Sequence, residues 1–369
     1  MSNIFCIAPF VNLCTTSDGR SRLCCQAKEN HDFYINNKSV DDVFRSKYFE
    51  EARQKFLNNE WPSACESCRV SEERGISTRR ALENTRWQHL DWDELKSNPK
   101  IHCFDLRLGN QCNLSCVMCS PRNSVAWYNE YKNYDHISSW QPEEGLTWAR
   151  QGTLIEDIRN NLDSVQMLYF SGGEPLLNKK HFEIINLCID KNLANNINLV
   201  YDTNGTAITD EIISKWKKFK DVQINFSIDG VGKINEYIRY PIKWNDVVRK
   251  FELLQRSTVK VYLQFALGAH NLLDYHNVED LIDYYNFERV NVSIVHWPTF
   301  MSVDNLHDNV KQYAKVKYDM TKTHRTRKIV RALEYTGAEP IELQQYFAKL
   351  DKSRNLDHTK LFPWLYGNL

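Results

Sequence analysis

The chain has 369 residues, 42% hydrophobic and 25% charged, and its 47 basic and 47 acidic side chains cancel to a net charge of zero. That length suits one large domain with a smaller one, in a composition ordinary for a soluble globular protein. Zero net charge lends no support to a phosphate-tracking surface, so a nucleic-acid partner is not expected.

The start, Met1-Ser2-Asn3-Ile4-Phe5-Cys6, lacks the basic residues and apolar core of a signal peptide, and no run is long enough to span a membrane. The 11 cysteines are odd in number and mostly grouped. Such grouping argues for metal ligands in a reducing compartment rather than a disulfide scaffold, so a cytoplasmic location is expected.

Residues 1–75 read as a small α+β domain. Asp18-Gly19 is a hairpin signal between two short strands, which would bring Cys6 and Cys24 together. Val43, Phe44, Phe49, Ala52 and Phe56 fall near helical spacing, so residues 40–60 read as a helix that delivers Cys65 and Cys68. Cys65-Glu66-Ser67-Cys68 has the C-x2-C spacing of a metal knuckle, for which zinc is the default. Successive strand residues face opposite ways, so only one of Cys24 and Cys25 should join that group. Residues 76–100 read as a helical linker. Arg69, Arg74, Arg79, Arg80 and Arg86 read as a solvated face in preference to a substrate-docking arm.

From residue 101 to 300, runs rich in Val, Ile, Tyr and Phe alternate with helical patterns. They are Ile101–Leu108, Val165–Phe170, Ile197–Tyr201, Val222–Ser227, Val259–Phe265 and Val290–Val295. Strand-then-helix order predicts a parallel sheet with helical crossovers, and functional groups at the C-terminal ends of its strands. After the first strand comes Cys112-Asn113-Leu114-Ser115-Cys116-Val117-Met118-Cys119, and Pro121 is expected to start a helix. Thiolates are soft ligands for zinc or iron–sulfur clusters. Three of them leave one iron of a four-iron cluster open. After the second strand, Ser171-Gly172-Gly173-Glu174-Pro175 lets a ligand approach the backbone and places a carboxylate for a cationic amine. The third strand runs into Asp202-Thr203-Asn204-Gly205. In the fourth, Ser227 and Asp229 share a face and can bond hydroxyls. Arg239 offers a bidentate guanidinium for a carboxylate. His270 and His296 follow the fifth and sixth strands as pocket candidates.

The C-x3-C-x2-C loop resembles the signature of the radical S-adenosylmethionine (SAM) enzymes. The resemblance implies an open, partial (β/α)6 TIM-like barrel over 101–300. Cys112, Cys116 and Cys119 would hold a [4Fe–4S] cluster whose open iron takes the amino and carboxylate groups of SAM. Met118 stands where the family usually has an aromatic residue; its thioether can still pack on adenine. Gly172-Gly173-Glu174 resembles the motif for the SAM amino group. Asn204, Ser227, Asp229 and Arg239 match positions facing SAM or substrate. The order Cys6, Asp18-Gly19, Cys24, Cys65-x2-Cys68 resembles SPASM and twitch modules, although family members usually carry these after the barrel. That likeness implies a second, closed [4Fe–4S] cluster on Cys6, Cys24, Cys65 and Cys68.

The function so implied is reductive cleavage of SAM to a 5′-deoxyadenosyl radical, which takes hydrogen from a peptide or small-molecule substrate. Peptide modification is the leading expectation, and flavodoxin or ferredoxin is the implied electron donor. A zinc-bearing binding protein and an RNA-modifying radical SAM enzyme are the alternatives. Residues 301–369 read as a helical extension with a basic run, Lys322, Arg325, Arg327, Lys328 and Arg331. Its apolar tail, Leu361–Tyr366, would dock on the barrel or on a partner.

Overall fold

The structure, a computed structural model, describes residues 4–29, 38–73, 75, 77–131, 148–150, 152–321, 324–334 and 339–369. Met1 to Asn3, Arg74 and Lys322 of the sequence expectations lie outside these. The strands are β1 (Asn12–Thr15), β2 (Ser21–Arg22), β3 (Cys103–Arg107), β4 (Met167–Ser171), β5 (Asn198–Thr203), β6 (Asp221–Ser227), β7 (Lys260–Leu267) and β8 (Arg289–Ile294). They form one sheet in the order β2-β1-β3-β4-β5-β6-β7-β8. From β3 to β8 every pairing is parallel. Helices such as Lys179–Asp190, Asp210–Trp216 and Trp244–Gln255 make the crossovers. The fold is therefore α/β, with the six expected strands in a partial barrel. Among the described residues β8 does not pair with β2, so the barrel stays open.

Strand alternation sorts the side chains. Phe104, Leu106, Leu168, Phe170, Leu199, Ile224 and Leu263 face the helices and are essentially fully buried. Burying each such side chain stabilises by about 1.5–3 kcal/mol. The opposite face is polar. Arg107 stands beside Ser171, Asp105 beside Tyr169, and Asp202 beside Asn225. A sheet with a polar concave face and an apolar convex one has a lumen built for a polar ligand.

The N-terminal segment joins this sheet. β1 runs parallel to β3, with Cys14 opposite Asp105, and antiparallel to β2. The expected Asp18-Gly19 turn forms. Gly19 has φ 84°, and a Cβ there would stand 2.8 Å from the Trp148 ring. Phe10, Val11 and Leu13 belong to the barrel's own core. The helix expected over 40–60 is split into Val40–Phe44 and Lys47–Leu57, the first closed by a capping box between Ser39 and Asp42.

The arginines of residues 76–100 are not a solvated face. Arg79 and Arg86 both reach the buried Glu83 at 2.7 Å, and Arg80 pairs with Glu72 at 2.7 Å. Arg80 also donates to the Phe5 carbonyl at 3.0 Å, so the short helix Arg79–Arg86 is tied to the N-terminal segment. The helix expected at Pro121 begins instead at Ala126. Residues 121–123 form a turn, and Ser124 Oγ after it donates to the Leu114 carbonyl at 2.6 Å. In the extension, Arg327 and Arg331 are exposed on the helix His324–Ala332. The tail docks on the barrel: Phe362 and Leu365 are buried, and Trp364 Nε1 donates to the Ala269 carbonyl at 3.0 Å. Among the described residues no helix is long and apolar enough to cross a membrane.

Candidate functional site

The cysteine loop is shaped by its apolar residues and its backbone bonds. Leu114 and Val117 are buried in the core, which leaves Cys112, Cys116 and Cys119 half-buried on the other side. Ser115 N–H donates to the Tyr240 carbonyl at 2.7 Å and Val117 N–H to that of Ile238 at 2.8 Å. The three thiols open on a cavity of about 340 Å³ at the C-terminal ends of β3 to β6. Met118, Gly172, Gly173, Asn204, Ser227 and Arg239 line the same cavity. The structure thus brings together all but two of the residues expected around the triad.

Burial pushes the Cys116 thiol up to about 12, against the opposing pull of Arg239. It raises Cys112 and Cys119 as well. Metal binding at these thiols therefore releases protons. Gly172 and Gly173 have φ of 73° and 59°, and a Cβ on Gly173 would stand 2.5 Å from the Gln111 carbonyl oxygen. The glycines are needed because this turn lies directly against the cysteine loop.

Glu174 and Asp229 stand behind the wall, absent from the cavity lining. The Glu174 carboxylate accepts from Thr203 Oγ1 at 2.7 Å, from Asn204 N–H at 2.7 Å and from Leu176 N–H at 3.1 Å. Burial pushes its pKa up to about 7 although those three donors pull it down. Its oxygens therefore join the β4 loop to the β5 loop. Asp229 is fully buried and pairs with Arg239 at 2.6 Å. Its other oxygen accepts from Ala266 N–H at 2.8 Å. Burial raises its pKa, with Arg239 opposing. Arg239 in turn places Nη1 3.9 Å from Cys116 Sγ. Through these partners both carboxylates hold the wall of the cavity in place.

The polar residues that line the cavity without having been singled out in the sequence include Arg107, Ser171 and Asp202. Each ends a strand on its lumen face, and that pattern could have found them. Asp202 accepts from Tyr169 Oη at 2.7 Å and Asn225 Nδ2 at 2.8 Å, and burial raises its pKa. His270 is fully buried and packs on Phe347. Burial lowers its pKa to about 3, so it stays neutral. His296 is exposed. Neither lines the cavity.

The N-terminal cysteines also converge. Cys6 is raised first by burial and then by Cys65 and Cys68, Cys24 by burial, Cys25 and Cys6, and Cys65 by burial, Cys24 and Cys68. Cys25 acts on Cys24, and beyond burial the charges acting on Cys25 itself include Arg79, Asp105, Arg107 and Glu83. Among the described residues no three ligand side chains take the geometry of a single metal ion, in either set.

Fold and site together define a partial α/β barrel with a three-thiol loop opening on a cavity at its C-terminal mouth. Residues 106–288 match the model of the radical SAM superfamily, and this part of the chain is a radical SAM domain. The chain is 32% identical over 135 residues to the uncharacterized protein MJ0907 of Methanocaldococcus jannaschii, covering 36% of this chain and 40% of the relative. It is 27% identical over 181 residues to the Fe-coproporphyrin III synthase of Methanosarcina barkeri, covering 49% and 40%. The chain thus spans about 40% of the length of these curated relatives. Among solved structures, Streptococcus suis SuiB bound to its precursor peptide SuiA aligns at TM-score 0.43 and 12% identity, over 72% of this chain and 60% of that one.

Proposed function

We propose that the protein is a radical SAM enzyme acting on a peptide or small molecule, with Cys112, Cys116 and Cys119 holding a [4Fe–4S] cluster and SAM lying in the adjoining cavity. The observation that carries this reading is the meeting of the three thiols with Met118, Gly172, Gly173, Asn204, Ser227 and Arg239 around one cavity. The thiol set fits the group: three soft donors in one loop, spaced wider than a single ion takes, with room beside them. When bound, cluster and SAM supply reductive cleavage to a 5′-deoxyadenosyl radical, an oxidant for unactivated C–H bonds.

The chain's own residues do the rest. Arg239, held by Asp229, presents a fixed cation for a carboxylate. The positive-φ glycines admit the ligand close to the backbone. Asn204 and Ser227 offer hydrogen bonds to the polar parts of SAM, and Met118 a polarizable surface for adenine. The polar lumen below receives the substrate. There Tyr169, Asp202 and Asn225 form a hydrogen-bonded chain in which Asp202 can hold a proton. Binding and orientation, with water kept out, are the protein's contribution to such chemistry.

The finer assignment is a second [4Fe–4S] cluster on Cys6, Cys24, Cys65 and Cys68. The mutual influence of Cys6, Cys24, Cys65 and Cys68 supports it. An electron donor such as flavodoxin or ferredoxin would serve both clusters.

The test is anaerobic reconstitution, iron analysis and assay for 5′-deoxyadenosine with SAM and reductant. Wild type is expected to hold about eight irons and to form 5′-deoxyadenosine. The triple variant Cys112→Ala/Cys116→Ala/Cys119→Ala should keep about four irons and form none. A triple variant that keeps all its iron, or still cleaves SAM, overturns the assignment.

A further inference from the structure

The C-terminal helix Ile341–Arg354 lies outside the matched residues 106–288, yet it reaches into the cysteine loop. Leu343, Tyr346, Phe347, Leu350 and Arg354 form its buried face. Two of these end on loop carbonyls that flank Cys116. Tyr346 Oη donates to the Val117 carbonyl at 2.9 Å, and Arg354 Nη2 donates to the Ser115 carbonyl at 2.7 Å. Trp127 Nε1 holds the Cys116 carbonyl itself at 2.9 Å. With the bonds from Ser115 and Val117 N–H to Tyr240 and Ile238, both sides of Cys116 are tied down.

Arg354 carries more than a hydrogen bond. Its side chain is 1% exposed. Its guanidinium lies 4.6 Å from the Tyr240 ring centroid and 5.1 Å from that of Trp127. Its one described counter-charge is Glu130, whose Oε2 accepts from Nε at 3.0 Å and Nη2 at 2.9 Å. A cation so stripped of water acts strongly on nearby charge, because little solvent screens it. Such placement is costly unless the charge is paired and hydrogen-bonded, as Glu130 and the Ser115 carbonyl make it here. Arg239, the other cation near Cys116, is already paired with the buried Asp229 at 2.6 Å.

We propose that Arg354 is a positioning residue for Cys116 and a buried cation that makes the cluster on the triad easier to reduce. The proposal rests on the cluster reading above. The guanidinium fork sets the loop carbonyl ahead of the middle cysteine. Its positive charge favours the more negative, reduced state of the metal centre. Glu130 offsets part of that charge and so sets the size of the effect.

The experiment is an EPR-monitored redox titration of the reconstituted full-length protein without SAM, with iron analysis and thermal melts on every variant. Arg354→Met should lower the equilibrium constant for one-electron reduction about tenfold, which is 59 mV more negative. Arg354→Lys keeps the charge and loses the fork. It should stay near the wild-type potential but release iron to a chelator faster. Glu130→Gln removes the counter-charge and should move the potential the opposite way, to less negative values. A purely structural role would not reverse sign between Arg354→Met and Glu130→Gln. If Arg354→Met does not fold, Glu130→Gln decides. An unchanged or more negative potential in Glu130→Gln overturns the proposal, as does an Arg354→Lys potential shifted as far as that of Arg354→Met. Wild type that takes up no iron on the triad overturns the cluster reading itself, and is distinguished by its own iron count.

Discussion

The barrel mouth and the N-terminal hairpin each gather cysteines, but they treat charge in opposite ways. At the barrel mouth three thiols share one cavity with backbone glycines, and Glu174, behind its wall, is buried with neutral hydrogen-bond donors only. Burial outweighs those donors and lifts its pKa to about 7. Beside the hairpin another carboxylate, Glu29, meets Arg20, Arg22 and Arg122. Burial raises it there too, but Arg22 and Arg122 prevail and hold it at about 2. One region keeps its thiols beside an open cavity. The other is laced with ion pairs. Arg122 stands three residues after Cys119, so the same Glu29 network also bolts the hairpin to the cysteine loop. Ser17 Oγ adds a contact to Asn123 Oδ1 at 3.2 Å.

The widest separation expected between the two regions is chemical. A Cys65→Ala/Cys68→Ala variant that retains about four irons on the barrel triad should still form 5′-deoxyadenosine and should give no final product. Mass spectrometry of substrate and nucleoside in the same reaction makes the check. Product at the wild-type rate from a folded variant with its barrel iron would reduce the N-terminal set to a structural role. Metal can supply folding free energy, so iron content is measured first.

A smaller contrast lies in pH. The folded pKa of Glu174 is above its unfolded value, so its stabilising effect is whole below about pH 4.5 and is lost as pH rises through about 7. The loss is at most about 3 kcal/mol for a fully buried group. Denaturant unfolding of metal-free protein at pH 5 and pH 8 should show this fall in wild type and little of it in Glu174→Gln. Equal slopes in both would mean that the carboxylate is ionised throughout the range.

The smallest effect should come from the bolt itself. Arg122 is about one-third exposed, at 34%, so Arg122→Ala should cost only about 0.5–1 kcal/mol. Glu29 has the opposite sign to Glu174: its contribution is present above about pH 4.5 and disappears as pH falls through about 2. Loss of Arg122 should move that acid-side decline to higher pH, seen as a lower melting temperature at pH 3.5 with little change at pH 7. An Arg122→Ala protein with an unaltered acid profile would show that Arg20 and Arg22 suffice.

Much of this was legible in the chain because it is local. The spacing of Cys112, Cys116 and Cys119 sets which ligands leave the loop together. Alternation within six short strands fixes which residues face the lumen, and Gly172-Gly173 could only be a tight turn. The Asp18-Gly19 hairpin was readable for the same reason. What the sequence left open depends on partners far along the chain. Glu174 and Asp229 stood at the expected places, but Thr203, Asn204 and Arg239 occupy their oxygens, and only packing brings those groups within reach. Cys24 and Cys25 are equivalent on paper. Only the fold brings Asp105 and Arg107 of β3 to bear on Cys25, and Cys6 and Cys65 to bear on Cys24. Arg354 carried no motif at all. It lies 239 positions from Ser115, and its role follows from a helix that packs an entire buried face before its last residue meets the loop. Ligand spacing is a property of a few bonds, whereas the partner a buried charge finds is decided by the whole fold.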